Sequence, residues 1–172
     1  MIYTIAQIFG FMAAVCCLIG PLFKYKWQML INSAVANLLV ALNFFLLGEV
    51  GTGIILHFVA ILQIMFSLGH VYKQTSVSHT EKVIFLIMYA VCGALGFKKL
   101  IDILPIIGAI LLSISVFIRD EQRTRTYMLA NAAVWIVYDI IIGSSTVFAQ
   151  LATIIMTCAA MYKYRGNRND VF

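Results

Sequence analysis

Asn131, Trp135, Tyr138 and Asp139 fall at i, i+4, i+7 and i+8 of one apolar stretch. At about 100° per residue they share a single face of a helix. The set joins an amide that both donates and accepts, an indole that can stack, a phenol and a carboxylate. Such a face suits a polar solute whose hydroxyls or amides are hydrogen-bonded while a flat ring covers its apolar side. Other apolar stretches add Asn32 and Asn43, eleven residues apart on one face, with Asn37 about 140° away. His57 and Gln63 point about 120° apart, and Gln150, Thr153 and Thr157 follow a helical spacing. Asn43, His57, Asn131, Trp135, Tyr138, Asp139 and Gln150 are therefore the candidate binding residues. The same amides and hydroxyls also read as glue between helices, at about 0.6 kcal/mol per bond.

Asp139 is the only carboxylate well inside an apolar run, about one turn before Gly143. It reads either as a proton carrier or cation contact, with His57 as a counterpart, or as a partly hydrated group near an interface. Pro21 lacks an N–H and reads as a hinge or as ordinary helix punctuation. No catalytic residues are expected: P-loop, His-Glu-x-x-His and Gly-x-Ser-x-Gly spacings do not occur, and no nucleophile–base pair can be assigned. Cys16, Cys17, Cys92 and Cys158 lie in apolar runs without metal-ligand spacing and are expected as buried free thiols. Neither cofactor nor metal is expected.

What positions these residues is a membrane. The 172-residue chain is 63% hydrophobic and only 11% charged, with mean hydropathy +0.99. A soluble domain carries about 25% charged residues, so too few charges are present to cover a water-facing surface. A soluble domain, a disordered chain and a nucleic-acid binder are excluded despite the +5 net charge.

Apolar runs cover Ile2–Phe23, Met29–Gly48, Val50–Tyr72, Val83–Phe97, Leu100–Phe117, Tyr127–Ile142 and Thr146–Tyr162. No Lys or Arg precedes Lys24, so the first run reads as a retained span, not a cleaved signal. The fourth run spans only about 22 Å and is doubtful by length. Basic residues decide. If all seven runs cross, ten Lys and Arg fall on one side and two, Lys98 and Lys99, on the other; without the fourth crossing the division is six and six. The positive-inside rule then predicts seven spans, the N-terminus outside and the C-terminus in the cytoplasm.

The segment Met29-Leu30-Ile31-Asn32-Ser33-Ala34-Val35 resembles Met128-Leu129-Ala130-Asn131-Ala132-Ala133-Val134, with five identities at an interval of 99. Phe44–Gly48 parallels Asp139–Gly143 at an interval of 95. The chain thus divides into a first triple-helix bundle (1–75), a linker helix (76–99) and a second bundle (100–172). Three crossings reverse the chain, so one more is needed before a second copy can run in the same direction. Parallel copies of this kind enclose a pathway between them.

Gly10, Pro21 with Lys24 and Lys26, Trp135-x-x-Tyr138 and the 3+1+3 order resemble the PQ-loop/SWEET transporter superfamily. Asn43-Phe44-Phe45-Leu46-Leu47-Gly48, Leu104-Pro105-Ile106-Ile107-Gly108 and Trp135-Ile136-Val137-Tyr138-Asp139 more closely resemble the YgjV-type bacterial inner-membrane proteins. The resemblance covers nearly the whole chain. It implies an all-α, SWEET-like fold of seven transmembrane helices in a bacterial inner membrane, and names no substrate. The chain departs from the superfamily at Pro21, which is followed by Leu22 where Gln would stand, and Gln150 is the nearest match to the binding Asn of span seven.

The expected function is transport of a small neutral polar solute, for example a sugar, by uniport or single-proton coupling. A non-transporting scaffold or partner subunit of the same fold is the alternative, and an intramembrane enzyme is disfavoured. The expected partners are the solute and the bilayer, with a homo-oligomer left open and no nucleic acid. Impermeant labelling of a cysteine added at each terminus should modify the N-terminus only from outside and the C-terminus only from the cytoplasm. Both termini on one side would rule out an odd number of crossings.

Overall fold

A computed structural model describes residues 2–46, 51–97, 99–118, 120–142 and 147–164. Gly48, Val50, Lys98, Arg119, Gly143, Thr146, Arg165 and Arg168 lie outside the described residues, as does the side chain of Asp139. The helices are α1 (Ile2–Ile19), α2 (Lys26–Leu46), α3 (Thr52–Tyr72), α4 (His79–Gly96), α5 (Ile103–Phe117), α6 (Glu121–Ile142) and α7 (Val147–Lys163). One-turn 3-10 helices at Gly20–Leu22 and Leu100–Asp102 end α1 and introduce α5. The first five, with the 3-10 turns at Gly20–Leu22 and Leu100–Asp102 counted with α1 and α5, are long and apolar enough to cross a membrane. Helix α6 has 22 residues but opens with the charged turn Glu121-Gln122-Arg123-Thr124-Arg125, and α7 has 17.

The fourth helix is longer than its apolar run. Ser78 Oγ accepts from the Glu81 N–H at 3.2 Å, and the Glu81 carboxylate accepts from the Ser78 N–H at 2.6 Å. This capping box starts the helix at His79, inside a polar turn that an apolar count leaves out. Its 18 residues reach about 27 Å. It lies along α3 from end to end, with Glu81 3.6 Å from His70 at one end and Gly96 against Thr52 at the other.

Neighbouring helices in sequence are antiparallel throughout. Asn32 and Asn43 of α2 donate to the carbonyls of Cys16 and Ala6, the late and early parts of α1. Phe85 and Gly93 of α4 meet Phe117 and Ile106 of α5. Thr124 of α6 meets Ser115 late in α5, while Trp135 meets Gly108 early in it. Gln122 reaches the Tyr164 carbonyl at the end of α7. By contrast α3 and α5 are parallel, with Gln63 beside Ser113 and Ser67 beside Val116.

Packing contacts run α1–α2–α3–α5–α6–α7 and return to α1, closing a six-helix ring; α4 lies against the α3–α5 seam. Alternation places Lys24, Lys26, Lys73, Lys82, Arg123, Arg125 and Lys163 at one end of the bundle, against Lys99 at the other. Tyr25, Trp27, Tyr72 and Tyr162 are exposed at that cationic end, as ring systems at a headgroup layer are. Phe11, Leu62, Ile87 and Ile155 are exposed along the outer faces, where lipid tails would cover them. The four cysteines are unbridged; Cys16, Cys17 and Cys92 are half-buried, and Cys158 is exposed, not buried as expected, because α7 turns it outward.

The ring tolerates close approach only where side chains vanish. A Cβ on Gly96 would sit 2.6 Å from the Thr52 Cα, a backbone atom that cannot swing aside. Gly69 of α3 has nothing within 4 Å. Gly96→Ala should therefore cost about 1–3 kcal/mol, seen as a lowered unfolding midpoint in detergent. Gly69→Ala should leave the midpoint unchanged or slightly raised; equal effects would refute this account of the α3–α4 contact.

Candidate functional site

A cavity of about 140 Å³ lies inside the ring, and every helix contributes to its wall. Asn32, Asn37 and Phe44 come from α2, His57 from α3, Tyr89 from α4 and Gly108 from α5. Asn131 and Trp135 come from α6, Cys17 from α1, and Gln150 and Thr153 from α7. Gly20 and Pro21 also line it, at the side of the cationic end. Among the described residues, no Asp, Glu, Lys or Arg lines it. In a low-dielectric interior the described wall offers a few hydrogen-bonding groups and ring faces set among apolar side chains.

The amide of Asn37 sets the state of His57. Its Nδ2 donates to the Ser33 carbonyl at 2.7 Å, which turns Oδ1 towards the imidazole. His57 Nδ1 lies 2.7 Å from that oxygen and must be the donor. In the neutral ring Nε2 is then left as an acceptor. Trp135 lies nearly parallel to the imidazole, with ring centroids 6.0 Å apart and 20° between planes, and Phe44 stands 5.8 Å from its centroid. A ring cluster and a polar edge therefore meet on one wall.

On the α6 side, Gly108 lets α5 approach. A Cβ there would fall 2.8 Å from Trp135 Nε1 and 3.2 Å from Asn131 Oδ1. Asn131 Oδ1 is buried without a hydrogen-bond partner among the described residues. An unmet buried acceptor costs about 1–3 kcal/mol, and a solute bearing an O–H or N–H would relieve that cost. Pro21 is fully buried in the 3-10 turn that ends α1.

Of the seven candidate binding residues, His57, Asn131, Trp135 and Gln150 meet at the cavity. Asn43 does not. It is buried against α1, donating to the Ala6 carbonyl at 2.6 Å beside Gly10, and serves as interhelical glue. Asn32 shares its face, so the eleven-residue spacing marked the side turned to α1. Tyr138 packs edge-on against Trp135, with centroids 5.6 Å apart, and is not part of the wall. The side chain of Asp139 lies outside the described residues, and the partners found for His57 are Asn37 and the rings.

Gln63 closes the α3–α5 seam: Nε2 donates to Ser113 Oγ at 2.7 Å and Oε1 accepts from the Tyr89 hydroxyl at 2.8 Å. Tyr89 escaped the sequence reading, and Asn37 was noted there only as lying off the Asn32–Asn43 face, not as a candidate. Asn37 faces away from Asn32 on the helical wheel, and that angle points it to α3 instead of α1. A buried amide within reach of an intramembrane histidine was the available signal.

Residues 4–168 match the Imp-YgjV family model, described as a bacterial inner membrane protein. No curated protein and no solved structure matches the chain. With five helices apolar enough to cross a membrane and a match over nearly its whole length, the chain belongs to the Imp-YgjV family of bacterial inner membrane proteins.

Proposed function

We propose that this protein is a transporter that moves a small neutral polar solute through the ring by alternating access, as a uniporter or with a single coupled proton. The observation that carries the reading is the cavity inside the ring, where amides, an imidazole and an indole stand among apolar side chains and no Asp, Glu, Lys or Arg lines it among the described residues. Desolvating a hydroxylated solute is offset only if its donors and acceptors are met. Asn131 Oδ1 supplies an acceptor that no described residue satisfies.

The reading takes α1–α3 and α5–α7 as two parallel copies joined by α4, a SWEET-like 3+1+3 arrangement. Three observations support it. The order of packing within each triplet is the same, with the middle helix between the outer two. The two contacts that join the triplets, α3 with α5 and α7 with α1, involve equivalent helices. Asn32 and Asn131, 99 positions apart, both reach the cavity. The cationic end is assigned to the cytoplasm by the positive-inside rule.

Flux into proteoliposomes should be measured for a panel of sugars, polyols and amino acids. At least one neutral solute should cross, and Trp135→Ala should slow it about tenfold, equivalent to about 1.4 kcal/mol. Gly108→Ala, which pushes on Trp135 and Asn131 without removing either, should also slow it. Uniform absence of flux in correctly folded protein would favour the scaffold reading.

A further inference from the structure

Two buried cations stand just outside the cavity on its cationic side. Lys26, 7% exposed, opens α2, and Arg125, 1% exposed, lies in the first turns of α6. The sequence marks neither as buried, since both sit in ordinary flanking basic clusters. They are 99 positions apart, the interval that relates Asn32 to Asn131.

Their partners are crossed. Lys26 Nζ donates to the Ser115 carbonyl at the end of α5 and to Thr124 Oγ1 of α6, both at 2.8 Å. Arg125 donates from Nε to the Pro21 carbonyl at 3.3 Å and from Nη2 to the Phe23 carbonyl at 2.8 Å, where α1 has just ended. Each cation thus reaches across to the C-terminal end of a helix in the other triplet. There the unpaired carbonyls and the helix dipole favour positive charge. The Tyr164 ring lies 4.9 Å from the guanidinium, and its hydroxyl donates to the Leu22 carbonyl at 3.0 Å.

The position is that of a closure. Pro21 lines the cavity and also accepts from Arg125. Leu112 and Met128, also in the lining, lie one turn from Ser115 and Arg125. A route from the cavity to the cationic face must part α1 and α2 from α5 and α6, breaking both sets of bonds together.

We infer that Lys26 and Arg125 form a crossed latch that holds the cationic mouth of the cavity shut, each cation capping the end of the opposite triplet. Its role as a gate rests on the transport reading, but its role as a barrier to access does not.

Cys17 lines the cavity beside this mouth and serves as a reporter. In a Cys16→Ala/Cys92→Ala/Cys158→Ala background, a membrane-impermeant methanethiosulfonate can be applied to either face of oriented vesicles holding the full chain. The parent should react slowly from the cationic side. Lys26→Met/Arg125→Leu should react at least tenfold faster from that side, without a matching rise from the other. The exchange variant Lys26→Arg/Arg125→Lys should remain slow, because each position keeps a cation. An unchanged rate in the double variant would overturn the latch, as would an equal rise from both faces, which reports general loosening. Should the double variant fail to accumulate, Lys26→Gln and Arg125→Gln singly carry the same readout. Faster labelling in vesicles that pass no solute keeps the latch and removes the transport reading; flux with unchanged labelling removes the latch alone.

Discussion

Lipid offers no hydrogen bonds, and that constraint governs where every polar side chain in this bundle can go. Each intramembrane amide or hydroxyl must find a partner inside the ring or a space where water or a solute can provide one. The first solution builds the seams: Asn43 on Ala6, Gln63 on Ser113 and Tyr89, and Ser67 on the Val116 carbonyl. Together these bonds fix the register between helices that apolar packing alone would leave free to slide. The second solution gathers Asn32, Asn37, His57, Asn131 and Gln150 around a common void. Site and scaffold are thus two outcomes of one requirement, and glycine decides how closely they interlock. Gly10 admits the Asn43 amide, while Gly108 admits Trp135 and Asn131.

Much of the architecture could be read from composition and charge. The asymmetric distribution of Lys and Arg predicted a full helix for the doubtful fourth run, and α4 is a helix of 18 residues. Its true length came from Ser78 and Glu81, whose reciprocal bonds recruit a polar turn that hydropathy discounts. The site was legible in part. The i, i+4 spacing placed Asn131 and Trp135 together correctly, because a single helix fixes that relation. It could not say which neighbour the face meets. Asn32 and Asn43 lie on one side of α2, as their spacing requires, yet that side meets α1, and Asn37 on another side reaches His57. Helical geometry is local, whereas the choice of neighbour is a property of the ring.

Lys26 and Arg125 illustrate the same limit. Flanking basic residues normally extend to headgroups and mark only the side of the membrane. Here two of them turn inward and find helix-end carbonyls, which suit a cation by both dipole and lone pair. Truncating either would leave the facing carbonyls without those donors, so such cations are bound more tightly to the fold than their place in a basic cluster suggests.

Helix α4 makes the ring lopsided. On one side the triplets are joined through α3 and α5 with α4 bracing the joint, and Tyr89 inserts its hydroxyl into the Gln63–Ser113 bonds. On the other side α1 and α7 meet without such a strut, and buried Thr157 Oγ1 has no hydrogen-bond partner among the described residues. The second junction is held by direct packing of α1 and its 3-10 turn on α7 and by the Tyr164–Leu22 hydrogen bond, with no bracing helix beside it among the described residues. An alternating-access motion, if the ring makes one, has α4 as the spine of a book and the α1–α7 junction as its free margin.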